Sequence, residues 1–397
     1  VEGVRINPRV EFAVTTGRVG FSRVRERLTS PRPTTLRDVP QGPAHVTKEW
    51  LTLALCDGVP GARVTNFEFG NRDDGATSRC PLVVTYNDVG RTAGLPDQLF
   101  TKSLPTFATR LLSAAVNLSE VEATFYSQLR PELSIEAPQA RYAAYDPHSE
   151  RFFLIVEDVA KARGATFGTA LDRTLTRGQA DDLVDLLAEL HVTFWQRPLM
   201  SRFGHWLRNS VEYVERLNVT LPARKRIAVG CERARSVLST EFFERRHEIH
   251  PALMRAMARN VEGPQTLLHT DVHPGNWYVT AEGRMGLYDW SCLTTGGWAR
   301  DVAYALATHL PPEDRRAWER KLLARYLGRL QKAGIETPTD DEAFLLYGQQ
   351  MMHPLLMWLG TLGLSKLMPS TQRADVTLET VRRAAIAAQD LRTLDTV

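Results

Sequence analysis

Residues 267–290 read LLHTDVHPGNWYVTAEGRMGLYDW. Short apolar runs (Leu267-Leu268, Trp277 to Val279, Met285 to Leu287) alternate with turn residues, which predicts strand, loop, strand, turn, strand. The polar residues His269, Asp271, His273, Asn276 and Asp289 fall at the strand ends and around a Pro-Gly turn. Such an arrangement brings them to one edge, the way rigid elements commonly present reactive side chains on loops. Two carboxylates and an amide are oxygen donors, and they suit a hard cation such as Mg²⁺ better than zinc.

On both sides of this stretch the pattern is helical. Thr176 and Gln179 have capping-box spacing, and Leu183, Leu186, Leu187, Leu190 and Phe194 follow at helical intervals. Residues 200–260 and 297–397 are also helix-rich. Further towards the N-terminus the period changes to that of strands: RVTNFEFG, CPLVVTY and LFTKSL predict an antiparallel meander, and ARYAAY and RFFLIVED, joined by the turn DPHSE, predict two more strands. One helix lies between, with Ser119 as its expected N-cap, Val121, Phe125 and Leu129 on one face, and Pro131 at its end. Residues 1–45 carry Arg, Pro and Thr in no clear period and read as an extended arm. The expected organisation is an arm (1–45), a small antiparallel β lobe with one helix (46–160) and a large helical lobe (161–397). This is an α+β, bilobal plan.

Composition narrows the partners. The chain has 397 residues, 43% hydrophobic and 24% charged, which is a globular balance. Its net charge of +3 is dispersed along the chain, so nucleic acid is not an expected partner. No run of 18 apolar residues occurs, and no membrane span is expected. The four cysteines lie far apart with no CxxC pair, which predicts reduced thiols and a cytoplasmic protein. Only seven of the 49 basic residues are lysine, so a lysine inside a strand, Lys102, stands out.

The pattern H-x-D-x-x-x-x-N, followed by an apolar strand ending in Asp, resembles the catalytic segment of the aminoglycoside phosphotransferase and choline kinase-like superfamily. Those are small-molecule kinases with a protein-kinase-like fold. The resemblance implies that Asp271 orients and deprotonates an acceptor hydroxyl, and that Asn276 and Asp289 hold Mg²⁺ on nucleotide phosphates. FGNRDDGATSR, with Gly70 and Gly75, looks like the nucleotide-covering hairpin; FTKSL presents Lys102, and EATFY places Glu122 on the next helix. LIVEDV, residues 154–159, resembles the hinge of the ecdysteroid-kinase-like and choline-kinase-like branch, where backbone groups around Glu157, Asp158 and Val159 hold adenine. GGWARDVAY, residues 296–304, resembles the helix entry that follows the metal-binding Asp. His269 then supports the loop and Asp301 braces the helix. One position departs from the family: Thr270 stands where a glycine is usual, and a β-branched residue restricts the backbone there.

The function expected from these residues is ATP- or GTP-dependent, Mg²⁺-requiring transfer of a phosphoryl group to a hydroxyl of a small molecule: an alcohol, a sugar or an antibiotic-like acceptor. Candidates for the acceptor side are Tyr347, Met352, His353 and Trp358, in a run whose apolar spacing reads for the most part as core. Over residues 311–397 there are 12 basic and 11 acidic residues, which argues against a pocket for a polycation. Two rival readings are a metal-dependent hydrolase using His269, Asp271 and His273, and a catalytically inactive nucleotide-binding protein. The residues name neither the acceptor nor the oligomeric state.

Overall fold

The structure is a computed structural model and describes residues 8–75, 77–204, 206–365 and 372–397. The architecture is α+β. It divides into two compact units, one of residues 1–132 with 138–165 and one of 133–137 with 166–397.

The first unit is built on an antiparallel sheet whose strands run in the order Val64–Phe69, Ser78–Tyr86, Gln98–Ser103, Arg151–Glu157, Ala140–Asp146, with Asp73–Asp74 pairing back on Ser78–Tyr86. Burial alternates strictly along the whole of Ser78–Tyr86, whereas five consecutive residues of Arg151–Glu157 are buried. A central strand covered on both faces has no polar side to show. One face packs Leu82, Val84, Leu99, Phe153 and Ile155 against Trp50 and Leu51 of the helix Lys48–Leu55. Strand alternation then puts Lys102 on the other face from Leu99.

Two helices, not one, follow the third long strand. Phe107–Val116 starts in a Thr106/Thr109 capping box, and Asn117, at φ 61°, turns the chain into Leu118–Thr124. Asn tolerates that left-handed conformation better than most residues. Ser119 is therefore not a cap: it lies inside the second helix, where its hydroxyl pairs with that of Ser113 at 2.7 Å.

The segment read as an extended arm is largely a helix, Pro8–Thr29. Its apolar residues at helical spacing (Val10, Val14, Phe21, Val24, Leu28) are exposed, and the side that packs is held mainly by charge. Glu26 is 2% exposed and its carboxylate binds Arg110 (2.8 Å), Arg151 (3.1 Å) and Arg23 (2.8 Å). Burial alone would raise the Glu26 carboxyl, but the hydrogen bond and charge of Arg110, with Arg151 and Arg23, hold it below the ordinary carboxylate value.

The second unit is mostly helical. Its organising element is Ala299–His309, in which every residue is buried. A helix surrounded on all sides needs small and apolar residues all round, and AxxVAxALA supplies them. Two three-stranded sheets take in the strands of residues 267–290, where the sequence pattern predicted one short β region. Met285–Leu287, Trp277–Val279 and Thr166–Phe167 form one; Arg208–Asn209, Thr294–Gly296 and Thr266–Leu268 form the other. The capping box of Thr176 and Gln179 starts the helix Arg177–Thr193 as predicted. Among the described residues no helix is long and apolar enough to cross a membrane.

The Glu26 network gives a stability prediction. Glu26→Gln leaves Arg110 buried without its counter-charge and is expected to cost about 3–5 kcal/mol, read as a lower denaturant midpoint. Because the folded carboxyl is depressed, its contribution is present above the unfolded value near pH 4.5 and is lost as pH falls through the folded value. The variant should therefore lose less stability on acidification below about pH 4 than the parent does.

Candidate active site

The loop that carries Asp271 begins where Thr266–Leu268 ends. His269 is fully buried and both of its ring nitrogens are used: Nε2–H donates to the Tyr288 carbonyl (3.0 Å), and Nδ1 accepts from the Asp271 amide (3.3 Å). Burial lowers its pKa, against the opposing pull of Asp301 and Asp271. A neutral imidazole with one donor and one acceptor fits these contacts.

The next residue carries the strain. Thr270 sits at φ 74°, a left-handed conformation that costs a β-branched residue on the order of 1–3 kcal/mol. Three contacts hold it there. Its amide donates to Asp301 (2.9 Å), its hydroxyl pairs with that of Thr294 (2.7 Å), and its carbonyl accepts from His353 Nε2 (2.7 Å). Asp301 also accepts from the His269 amide at 2.7 Å, with His191 Nε2 3.5 Å away. Burial would raise the Asp301 carboxyl, yet His191, His269 and the Thr270 amide keep it below its ordinary value.

Asp271 follows, its side chain 22% exposed. Both carboxylate oxygens are held: Tyr304 Oη–H donates to Oδ1 (3.0 Å), and Asn276 Nδ2 donates to Oδ2 (3.2 Å) and to the Asp271 carbonyl (2.8 Å). Trp358 Nε1–H in turn donates to the Tyr304 oxygen at 2.8 Å. His273 Nδ1 accepts from the Gly275 amide (3.0 Å), and its Nε2 lies 3.6 Å from Asp271 Oδ2. A Cβ on Gly275 would come within 2.7 Å of that ring and would have to displace it.

Asn276 and Asp289 are brought close by the hairpin. The Tyr288 amide donates to the Asn276 carbonyl (3.0 Å), which puts Asp289 one residue beyond the cross-strand neighbour of Asn276. Asp289 is left-handed at φ 60°, and its Oδ1 accepts from Ser291 Oγ at 2.8 Å. With its amide nitrogen spent on Asp271, Asn276 turns its side-chain oxygen away from that carboxylate. An amide oxygen and a carboxylate form a hard donor set that fits Mg²⁺. Zinc bound through His269 does not fit, since that ring has no lone pair left for a metal; among the described residues no group of three His, Cys, Asp or Glu side chains could hold a metal ion.

In the first unit Lys102 (9% exposed) and Glu122 (3%) meet, with Nζ 2.8 Å from Oε2. Gly70 and Gly75 lie in the hairpin before Ser78–Tyr86, and neither has a positive φ; Ala76, in the same motif, lies outside the described residues. The Glu157 carboxylate binds Arg163, and Asp158 caps the short helix Val159–Ala162 by accepting from the Ala160 and Lys161 amides.

The candidates for the acceptor side turn out to be interior. Tyr347, Met352 and His353 are fully buried and Trp358 is 3% exposed. Apolar and aromatic residues at helical spacing look the same in a core and in a binding site, and of the two readings the structure bears out the core. His353 and Trp358 brace the loop that carries Asp271, and Tyr304, inside the GGWARDVAY motif, was not singled out as touching Asp271. No sequence period marks such a contact.

The profile of a family described as "Phosphotransferase enzyme family" matches residues 109–339. No curated protein matches the chain. Among solved structures, a macrolide 2'-phosphotransferase from Brachybacterium faecium is 12% identical, with a TM-score of 0.43, over 83% of this chain and 94% of that one. An ethanolamine kinase from Plasmodium vivax is 12% identical, TM-score 0.46, over 83% of each chain. An aminoglycoside phosphotransferase from Streptomyces rimosus is 15% identical, TM-score 0.42, over 78% of this chain and 97% of that one.

Thr270 offers a test of the loop. Thr270→Gly relieves the strain but gives up one hydrogen bond, a buried methyl and unfolded-state entropy, each worth about 1 kcal/mol. These nearly cancel, so its unfolding free energy, read from thermal denaturation, should stay within about 1 kcal/mol of the parent. Thr270→Ala keeps much of the strain and loses the contacts, and it should fall by about 1–2 kcal/mol.

Proposed function

The chain belongs to the phosphotransferase enzyme family, and on that premise we propose that it is a small-molecule kinase moving the γ-phosphoryl group of a nucleoside triphosphate to a hydroxyl of an alcohol, sugar or antibiotic-like acceptor. Its α+β fold is of the protein-kinase-like type, with a small β unit and a larger helical one. The observation that carries the reading is Asp271, a carboxylate gripped on both oxygens by Tyr304 and Asn276 yet still partly open to solvent.

In this reading Asp271 receives the acceptor's proton as the hydroxyl attacks phosphorus in line. Tyr304 and Asn276 are positioning residues: they fix the carboxylate's orientation without touching substrate. Asn276 and Asp289 would hold Mg²⁺, which when bound neutralises phosphate charge. Lys102, steadied by Glu122, would bind the α- and β-phosphates as a compact point charge. Adenine would lie against the backbone around Glu157, Asp158 and Val159, where the Asp158 side chain takes the Ala160 and Lys161 amides and passes over that of Val159; Gly70 and Gly75 would cover the phosphates. Direct transfer suits a site with no activated nucleophile, because burial pushes the Cys292 thiol well up and the histidine rings serve the loop.

The deciding experiment is an acceptor-library screen with γ-labelled ATP and GTP that looks for a phosphorylated product. Asp271→Asn should lower turnover by roughly 10²–10⁴-fold with little change in nucleotide affinity. Tyr304→Phe should lower kcat by about 10-fold at unchanged KM for the nucleotide. Nucleotide binding with no product across the library would establish the inactive reading instead. Lys102→Arg keeps the charge but should be markedly impaired, because a planar guanidinium cannot replace the ammonium beside Glu122; parental activity in that variant would remove Lys102 from the site.

A further inference from the structure

The outer side of the helix Pro8–Thr29 carries apolar residues that the other described residues leave open: Val10 is 53% exposed, Val14 65%, Phe21 72%, Val24 57% and Leu28 82%. With Gly17, these positions step alternately by four and three, the seam spacing of a two-helix coiled coil. The opposite side, through Val19, Ser22 and Glu26, is the one buried against the first unit. The outer stripe is thus a second apolar face on a helix already seated. Five side chains this open leave roughly 500–600 Å² of apolar surface, at the top of the range for the largest patch on a monomer. Two such faces together amount to about 1,100 Å², just above what a specific interface needs.

We propose that this face pairs with the same face of a second copy of the chain, antiparallel, about a two-fold axis at the level of Val19. The stripe is self-complementary in that direction. Val10 then lies across from Leu28 of the second copy, Val14 from Val24, and Gly17 from Phe21. The last pairing decides the direction: nothing lies within 4 Å of where a Gly17 Cβ would stand, and the Phe21 ring of the other copy fills that space twice over, once on each side of the axis. A parallel pair would set Phe21 on Phe21 and leave a void between the two Gly17 positions, with the packing loss that voids bring. Charge does not oppose the antiparallel pair at its centre. Arg18 meets its own mate across the axis, but Glu150 of the same chain neutralises it at 2.6 Å. One isologous contact of this kind closes as a dimer and adds no further copies.

Sedimentation equilibrium of the full chain between about 1 and 50 µM should show a dimer with micromolar dissociation. Phe21→Arg should weaken it about 100-fold and remove the concentration dependence of the melting temperature, while the melting temperature measured well below the dissociation constant stays unchanged, since that side chain is in solvent in the single copy. Direction is read by cross-linking: oxidised mixtures of Val14→Cys and Val24→Cys chains should yield a covalent dimer, and Val14→Cys alone should not. A chain that stays monomeric throughout, a dimer that survives Phe21→Arg, or a Val14→Cys chain that links to itself would each overturn the proposal. So would a monomer that binds phosphatidylserine vesicles through Phe21, a lipid surface being the other occupant that Arg25 and Arg27 beside the stripe could serve.

Discussion

The Asp301 carboxylate sets the geometry of the loop that leads into Asp271. It is ionised and fully buried, which would cost several kcal/mol if nothing compensated for it. The compensation comes from the His269 and Thr270 amides and from His191. A charge in such a place demands its donors, so the two amides cannot wander. The loop backbone is therefore tied to the central helix just before Asp271, and the left-handed turn at Thr270 is held against its own strain.

The same helix acts on the loop at two more points. Arg300, next to Asp301, is also fully buried, and burial lowers its pKa to about 10. It donates to Nδ1 of His353, whose other nitrogen donates to the Thr270 carbonyl. Tyr304, one turn on, reaches Asp271. Residues 300, 301 and 304 thus fix the peptide after Thr270, the peptides before it and the carboxylate beyond it. A rigid element contacting a short loop at three successive places leaves the reactive group little freedom, which is what a transfer reaction dependent on positioning requires.

Thr270 shows how far a local rule can be set aside. Glycine is the economical residue for a left-handed loop position, and a threonine there suggests a damaged site when only the chain is read. In the structure the threonine hydroxyl has a partner in Thr294, and both its amide and its carbonyl are bonded to buried groups. The substitution exchanges conformational ease for contacts of similar size. The helix Pro8–Thr29 shows the converse: its inward side is held by Glu26 and its arginine partners, so the usual apolar signature of a packed helix was absent from the side that packs.

By itself the sequence determined the alternation of strand and helix periods, and hence the α+β plan, because side-chain periodicity is a local property of the backbone. It also determined the order of Asp271, Asn276 and Asp289, since a hairpin brings residues of one short stretch together, and the strand-and-helix order that lets Lys102 meet Glu122. Tertiary structure alone decided that Tyr304 and Trp358 orient Asp271, that His353 is a brace and not a pocket wall, and that the first helix belongs to the small unit. Those contacts join residues dozens of positions apart. Whether an aromatic or a charged side chain lines a site or supports one depends on what packs across from it, and no period in the chain encodes that.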